Sequence, residues 1–548
     1  MMATAAAFDY VIVGAGTAGC ALAGRLAEDP GTRICVIEAG GSDQRFLIST
    51  PAMVAAAIGR RDLNWRFETV PQAHLNGRRI PQPRGKVVGG SGSINGMVYS
   101  RGNPRDYADW VTAGATGWSY AEVLPYFLRS ENNQDLPVSR YHAHGGPMNV
   151  MRPRNPNQLN HDFIAAAQSL GFARTEDFTG VSNEGVGLRQ GVIRDGRRET
   201  TAKSFLRPAL ARGNVTLYTE ALVLRVIVEQ GRAVGVVYER EGRNHEVRVT
   251  REVILSAGTI QTPQILQLSG IGPAAQLQAS GVQPVLNLPS VGRNLHDHLA
   301  CPVLMGTTNS TSYGISAKAL PRGMWNVFQY LVGRTGPFAS NVFESVGFLK
   351  TKPDLDRPDV QFVFQPAARP RPTFPLPLGH GFAISPVSLY PKSRGSVTLQ
   401  GPDPHLAPAI DPALLSVEED IQPLVRAIKL ARRILGAQNF ARYHATELAP
   451  GVAVQSDEGI AEFIRASSYT VHHQVGTCRM GEHPEAVVDS QLRLRGLDGL
   501  RVVDASVMPL LIGGNTNAVA VMIAEKAADL IRQRPLLAPA PPAPAQEP

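Results

Sequence analysis

His472 and His473 stand side by side, shortly ahead of Gly476-Thr477. An imidazole ionises near neutral pH, so either ring could take a proton at working pH. In an extended chain neighbouring side chains face opposite ways, which lets one of the pair point into a site. Asn515 offers a second group, an amide that can hydrogen-bond an oxygen and hold it in line without competing for the proton. His296 and His298 flank Asp297, and His142 and His144 precede Gly145-Gly146-Pro147. Their spacing is metal-like, but no further ligands follow at a suitable separation, and no metal site is expected.

The N-terminus carries a binding signal rather than a reactive one. Phe8-Asp9-Tyr10-Val11-Ile12-Val13 is an apolar strand-like run that breaks on Gly14-Ala15-Gly16-Thr17-Ala18-Gly19. A helical pattern follows through Ala21, Leu22, Leu26 and Ala27, then a second run, Ile34-Cys35-Val36-Ile37, ending on Glu38. Strand, glycine turn, helix, strand, acid is the order of a dinucleotide-binding unit. The first glycine permits the tight turn, the second lets the backbone approach a pyrophosphate, and the third lets helix and strand pack closely. Glu38, about 20 residues beyond the glycines, can accept a hydrogen bond from a ribose hydroxyl and would repel a 2′-phosphate. NADP is therefore disfavoured, and FAD or NAD remain. A second glycine-rich loop, from Arg84 through Gly89-Gly90-Ser91-Gly92-Ser93 to Val98, is entered and left by apolar residues. Such a loop is expected to be buried and to bring backbone N–H groups against something large and polar.

These groups must be positioned by a large chain. Its 548 residues suffice for two or three domains, and 43% hydrophobic with 18% charged residues is a globular composition. The net charge of +8 is scattered in doublets such as Arg60-Arg61 and Arg78-Arg79, which argues against nucleic-acid binding. Four cysteines form no CxxC pair, and Cys20 and Cys35 fall inside the proposed helix and strand, which suits a reducing compartment. A signal peptide is not expected ahead of the first strand, nor a membrane span, since no run of 18 apolar residues occurs. Residues 49–87 read as a meandering segment, 158–171 as an amphipathic helix, and Val215 to Val237 as an antiparallel meander. Val253-Ile254-Leu255 reads as a buried strand, with a helix Gln264–Leu268 starting near Pro263. Residues 310–460 have another texture, rich in proline with a helix-like run from Ile421 to Leu435, and suggest a second domain inserted into the first. Asn515-Thr516 read as N-caps of the apolar helix Ala518–Ala524. The Pro/Ala-rich end, 535–548, reads as disordered or polyproline-like.

Several segments together then become specific: the opening unit; Gly85-Lys86-Val87-Val88-Gly89-Gly90-Ser91-Gly92-Ser93-Ile94-Asn95-Gly96; and Gly258-Thr259-Ile260-Gln261-Thr262-Pro263 running to Ser269-Gly270-Ile271-Gly272-Pro273. Val291-Gly292-Arg293-Asn294-Leu295-His296-Asp297-His298 and His473-Gln474-Val475-Gly476-Thr477 follow. Arg501-Val502-Val503-Asp504-Ala505-Ser506, continuing to Gly514-Asn515-Thr516-Asn517-Ala518, completes the set. In this order they resemble the glucose–methanol–choline (GMC) oxidoreductases, FAD-dependent alcohol oxidases and dehydrogenases, over nearly the whole chain. The choline-dehydrogenase-like bacterial alcohol dehydrogenases look nearest.

The resemblance implies an α/β (α+β overall) fold. A Rossmann-like FAD-binding domain would comprise 1–155, 214–309 and 464–534. A discontinuous substrate-binding domain, an antiparallel sheet flanked by helices, would comprise 156–213 and 310–463. It implies oxidation of a primary alcohol to the aldehyde, the proton going to His473 and the hydride to flavin N5. The electrons would pass to a quinone or another non-oxygen acceptor. Oxygen with peroxide release is the alternative, and a non-redox lyase or binding protein a more distant one. The catalytic histidine maps to His473 and its partner to Asn515; His472 would line the pocket or touch the cofactor. Cofactor contacts are implied for Gly14, Gly16, Thr17, Ala18, Gly19, Glu38 and Ala39, and for Trp65, stacking near the flavin. They are implied also for Arg84, Val88, Gly89, Gly90, Ser93, Asn95, Gly96, Met97 and Val98, and for the Val223 backbone. Ala257, Gly258, Asp504, Ala505, Thr516 and Asn517 complete the set. Ile94 stands where some relatives carry a histidine bonded to the flavin, so the FAD would be non-covalent. Gln474 stands where many have proline, which would loosen the backbone beside His473. A cytoplasmic location is implied, and peripheral attachment to the inner membrane stays open.

Overall fold

The computed structural model describes residues 8–369 and 377–541. The first layer is a parallel sheet. Phe8–Val13 lies between Ile34–Ile37 and the end of the long strand Arg243–Leu255. Val215–Tyr218 adds outside Ile34–Ile37, and Leu500–Val502 outside Val253–Leu255. Strands covered on both faces must be apolar throughout, which is why Val11, Ile12, Ile34, Cys35 and Val36 form unbroken buried runs. The long strand changes partners along its length. Its first half pairs antiparallel with Arg232–Arg240, which pairs with Ala221–Glu229. The predicted meander is thus present from Ala221 onward, while Val215–Tyr218 belongs to the parallel layer instead.

Two helices cover this sheet. Thr17–Leu26 and Asn517–Ile531 are buried on nearly every residue because they lie inside the molecule. Buried Glu525 on the second helix is neutralised by Arg25 at 2.9 Å and Arg129 at 2.6 Å. The helix predicted to start at Pro263 begins five residues earlier and spans Gly258–Leu268. Proline inside a helix leaves the carbonyl four residues back without its N–H. Here that carbonyl, Thr259 O, accepts the Thr477 hydroxyl at 2.6 Å, which binds the helix to the segment carrying His473.

The second layer is an antiparallel sheet with the order Thr446–Ala449, Val303–Thr307, His380–Ser388, Val360–Gln365, Ser345–Leu349, Gly185–Leu188. Along Val360–Gln365 successive side chains alternate. Phe362 and Phe364 enter a core with helices Gln158–Ser169 and Gln422–Leu435, Phe163 stacking on Phe364 at 5.0 Å. Gln361 and Val363 point the other way, into a cavity between the layers. Strands Leu299–Ala300 and Val303–Thr307, and Tyr469–Thr470, were assigned to the cofactor domain but belong to this sheet. Conversely, residues 202–211, assigned to the other domain, pack Ala202, Phe205, Leu206 and Ala209 into the parallel-sheet core. An interface segment reads alike in sequence whichever side it covers.

Residues 535–541 form no helix or strand, and the chain there is held to the domain. Leu537 N–H donates to Tyr126 Oη at 3.1 Å and Ala540 N–H to Ala121 O at 2.8 Å, holding the stretch along helix Tyr120–Ser130. Residues 542–548 of the expected tail lie outside the described residues. No helix among the described residues is long and apolar enough to cross a membrane.

Candidate active site

Between the two sheets runs a cavity of about 1390 Å³, above the range of an ordinary small-molecule site and roomy enough for a cofactor with a substrate. One end is the glycine turn. At Gly14, φ is +98° and an added Cβ would lie 2.6 Å from Ser256 O; at Gly19 it would lie 2.0 Å from Gly14 O. An added Cβ at Gly16 would meet nothing nearer than 3.9 Å, and Gly16 lines the cavity. The first and third glycines therefore serve turn and packing, and the second leaves its backbone open. Glu38 ends its strand against this turn, accepting Ala15 N–H at 2.9 Å and Gly40 N–H at 2.8 Å. Burial nevertheless pushes its carboxyl up to about 7.

The second glycine loop docks on the first: Gly89 N–H donates to Ala15 O at 2.7 Å. Buried Arg198 anchors it, donating to Asn95 O at 2.7 Å and Gly92 O at 3.2 Å. Gly90, Asn95, Gly96, Met97 and Val98 line the cavity. Gly19, Val88, Gly89 and Ser93 do not, contrary to expectation. Val88 N–H goes to Gly41 O, the Ser93 hydroxyl donates to Val88 O, and Gly19 faces its own turn.

Two helix N-termini meet at the cavity, joined by Thr17 Oγ1–H donating to Asn517 Oδ1 at 2.9 Å. Neither has a side-chain cap. Asn515 and Thr516 were expected to cap the second helix; their side chains do not, because the Asn515 amide turns to His473. First-turn amides with no side-chain cap favour a bound anion. Thr17, Ala18, Ala39, Arg84, Val223, Ala257, Gly258, Asp504, Ala505, Thr516 and Asn517 all line the cavity. Val223 sits at a bulge in its strand, which leaves backbone groups outside the ladder. Asp504 holds the helix Gly258–Leu268 by accepting Gly258 N–H at 2.9 Å and the Thr262 hydroxyl at 2.6 Å. Trp65 also lines the cavity, but its ring is stacked on Phe67 and lies beneath the Lys86 ammonium, 4.7 Å from its centre.

At the other end the histidines form a directed chain. His298 Nε2 lies 3.0 Å from Leu389 O, which can only accept, so this nitrogen carries the proton. His298 Nδ1 is then an acceptor, and the contact to His473 Nδ1 at 2.9 Å makes His473 the donor. His473 Nε2 is left with its lone pair, facing the Asn515 amide at 3.0 Å. Burial, then the proximity of His298, His472, Arg84 and Arg189, holds His473 well below the usual imidazole range, and burial brings His298 down to about 4. Both rings are neutral near pH 7, and Nε2 is a base.

Asp297 aligns the pair: one oxygen accepts His298 N–H at 2.8 Å and His473 N–H at 2.7 Å. Burial pushes its carboxyl up to about 7, against the pull of Arg84. His472 departs from the expected extended backbone, with φ of +66°. Its carbonyl accepts Arg84 Nη2–H at 2.6 Å, and both histidine side chains border the cavity. Gln474 does not loosen this backbone: it is buried, its side chain donates to Gln82 Oε1, and its carbonyl accepts the Thr259 hydroxyl at 2.8 Å. His296 is engaged by backbone, with Nδ1 at 2.7 Å from Asn294 O and Nε2 accepting Leu511 N–H at 2.9 Å. His142 pairs with Asp177 at 2.8 Å.

In the sequence Asp297 and His298 stand out only as part of a metal-like spacing; nothing there shows that they close on His473. Arg189, Phe343, Gln361, Val363, Tyr469 and Val471, which also line the cavity, carried no motif at all.

A glycine-turn nucleotide site joined through one cavity to a histidine with a free lone pair is the arrangement of a dinucleotide-dependent oxidoreductase. The comparisons agree. GMC oxidoreductase family models match residues 8–300 and 391–524. The chain is 43% identical over 526 residues to an alcohol dehydrogenase [acceptor] of Pseudomonas putida, covering 96% of this chain and 95% of that protein. It is 42% identical over 531 residues to an oxygen-dependent choline dehydrogenase of Rhizobium etli, covering 96% of both. The crystal structure of pyridoxine 4-oxidase from Mesorbium loti superposes with TM-score 0.85 at 33% identity, covering 96% of this chain and 99% of that one. The protein belongs to the GMC oxidoreductase family and is an FAD-dependent oxidoreductase acting on CH–OH donors. The residues present fit FAD: an open Gly16 backbone, Glu38 at the end of its strand, and two helix N-termini without side-chain caps.

Proposed function

We propose that the protein oxidises an uncharged primary alcohol to the aldehyde, with His473 Nε2 as the base. The single observation that carries this reading is the proton order from Leu389 through His298 to His473, which leaves the Nε2 lone pair in the cavity. Asn515 lies within hydrogen-bond reach of the same nitrogen and is placed to hold the substrate oxygen there while His473 takes its proton. FAD, when bound, supplies the hydride acceptor. The uncapped N-terminus of helix Asn517–Ile531 favours negative charge gathering beside it.

The charges support a substrate without a positive centre. Half-buried Arg84 and buried Arg189 border the cavity and act on His473. Of the acids bordering it among the described residues, Glu38 and Asp504 are tied to backbone amides, and Glu68 is exposed. Electrons pass to a quinone or another non-oxygen acceptor, in the cytoplasm or at the inner membrane face. The buried free thiols Cys20, Cys35, Cys301 and Cys478 suit a reducing compartment.

Anaerobic mixing of the purified protein with alcohols, followed by flavin absorbance, tests the reading. Bleaching by neutral primary alcohols is expected, with slow recovery in air that a quinone accelerates. Fast recovery with peroxide would make it an oxidase, and no bleaching by any alcohol would overturn the proposal.

A further inference from the structure

The helix Leu320–Gly333 has its apolar residues on the wrong side for a packed helix. Tyr330 is its one buried residue, its ring 6.2 Å from Phe46 and 6.1 Å from Phe338. Leu320, Met324, Trp325, Phe328, Leu331 and Val332 are 53–72% exposed. The Trp325 and Phe328 rings stack on each other at 5.4 Å on the surface. Ile315 and Leu378, which form a bridge just before the helix, are 55% and 87% exposed. A patch this contiguous marks an interaction surface.

Charge selects the occupant. Between Asp297 and Glu344 the sequence has no acidic residue, while Lys318 and Arg334 flank the helix and Arg322 lies in its first turn. A two-fold contact with a second copy would set these cations against themselves, and the stretch 298–343 has no acid to pair them. An anionic lipid surface offers the opposite charge at the rim and hydrocarbon at the centre. Tryptophan and long apolar side chains on one face, with basic residues at the margin, are what a helix lying in a bilayer interface requires. Fourteen residues make a rod of about 21 Å, enough to lie flat and too short to span.

We propose that this helix, with Ile315 and Leu378, docks the protein on an anionic lipid bilayer. The chain leads from this helix to the cavity wall within ten residues. After the helix the chain runs through Asn341, whose amide donates to Gly96 O at 2.7 Å, to Phe343, which lines the cavity. Resting on the reading of a quinone acceptor, docking here brings the cavity beside the lipid phase in which such an acceptor dissolves.

The test is flotation of the holoenzyme with vesicles of phosphatidylcholine, alone or mixed with phosphatidylglycerol. Binding to the mixed vesicles is expected, weaker on phosphatidylcholine alone and weakened by salt. Trp325→Ser with Phe328→Ser should lower binding at least about tenfold while keeping parental flavin content and alcohol-driven reduction of a soluble dye. Lys318→Glu should lower it less. Failure of the parent to float with either vesicle, or equal binding by the double variant, would overturn the proposal. So would a dimer in solution that the double variant dissolves. No turnover enters the binding readout, so failure of the acceptor reading would leave the docking result standing.

Discussion

At the scale of single residues, the site depends on which nitrogen of each histidine carries a proton. Replacing His473 with Ala removes the proposed base, and anaerobic flavin reduction should fall about 10²–10⁴-fold with FAD still bound. Equal rates would remove His473 from the mechanism. His298 acts through His473. His298→Ala should slow flavin reduction about tenfold or more, because His473 is then free to protonate either nitrogen. His298→Asn, which can return an acceptor near the Nδ1 position, should recover part of the loss; a purely structural role for the ring would predict no such difference at matched stability. The sign of the pH dependence follows from the desolvation of the proposed base. His473 sits below the ordinary value of 6.5 because of burial first and then His298, His472, Arg84 and Arg189. Its reactive neutral form therefore persists as pH falls through 6.5, and the acid limb of the flavin-reduction profile should lie below that value. A limb above 6.5 would contradict the geometry.

At the scale of elements, the segment carrying His473 is held by helix Gly258–Leu268, and a proline is what makes the hold. Pro263 cannot donate to Thr259 O, and the Thr477 hydroxyl does so instead. Thr477→Val leaves that buried carbonyl unpaired and should cost about 1–3 kcal/mol in denaturant unfolding. A cost near zero would show that the bond contributes nothing. The same pairing explains a limit of the sequence reading: Pro263 was legible as a helix-start signal, but the helix begins earlier because a residue more than 200 positions away takes the freed acceptor.

For the whole molecule, selectivity is a property of charges that come from distant parts of the chain. Arg84 leaves the meandering segment and Arg189 follows the strand Gly185–Leu188, and they end beside the cavity, Arg84 half-buried and Arg189 buried. A quaternary ammonium alcohol such as choline should therefore reduce the flavin far more slowly than a neutral alcohol of similar size, although choline dehydrogenases are among the relatives. Comparable rates in anaerobic stopped flow would refute the electrostatic argument.

The strand–glycine–helix–strand–acid unit was readable in the sequence because its parts are contiguous and each glycine answers a local steric demand. The helices 158–169 and 422–435 were readable from their periodicity. The pairing of His473 with Asn515 was legible only through family segments, since 42 residues separate them. Tertiary structure alone decided that Asp297 and His298 close on His473, that Gln361 faces the cavity, and that four glycine-loop residues do not. It decided also that the apolar helix 320–333 lies outside the core. Hydrogen-bond direction between distant imidazoles and the burial of an unpatterned arginine depend on which surfaces meet. Local periodicity carries no information about that meeting.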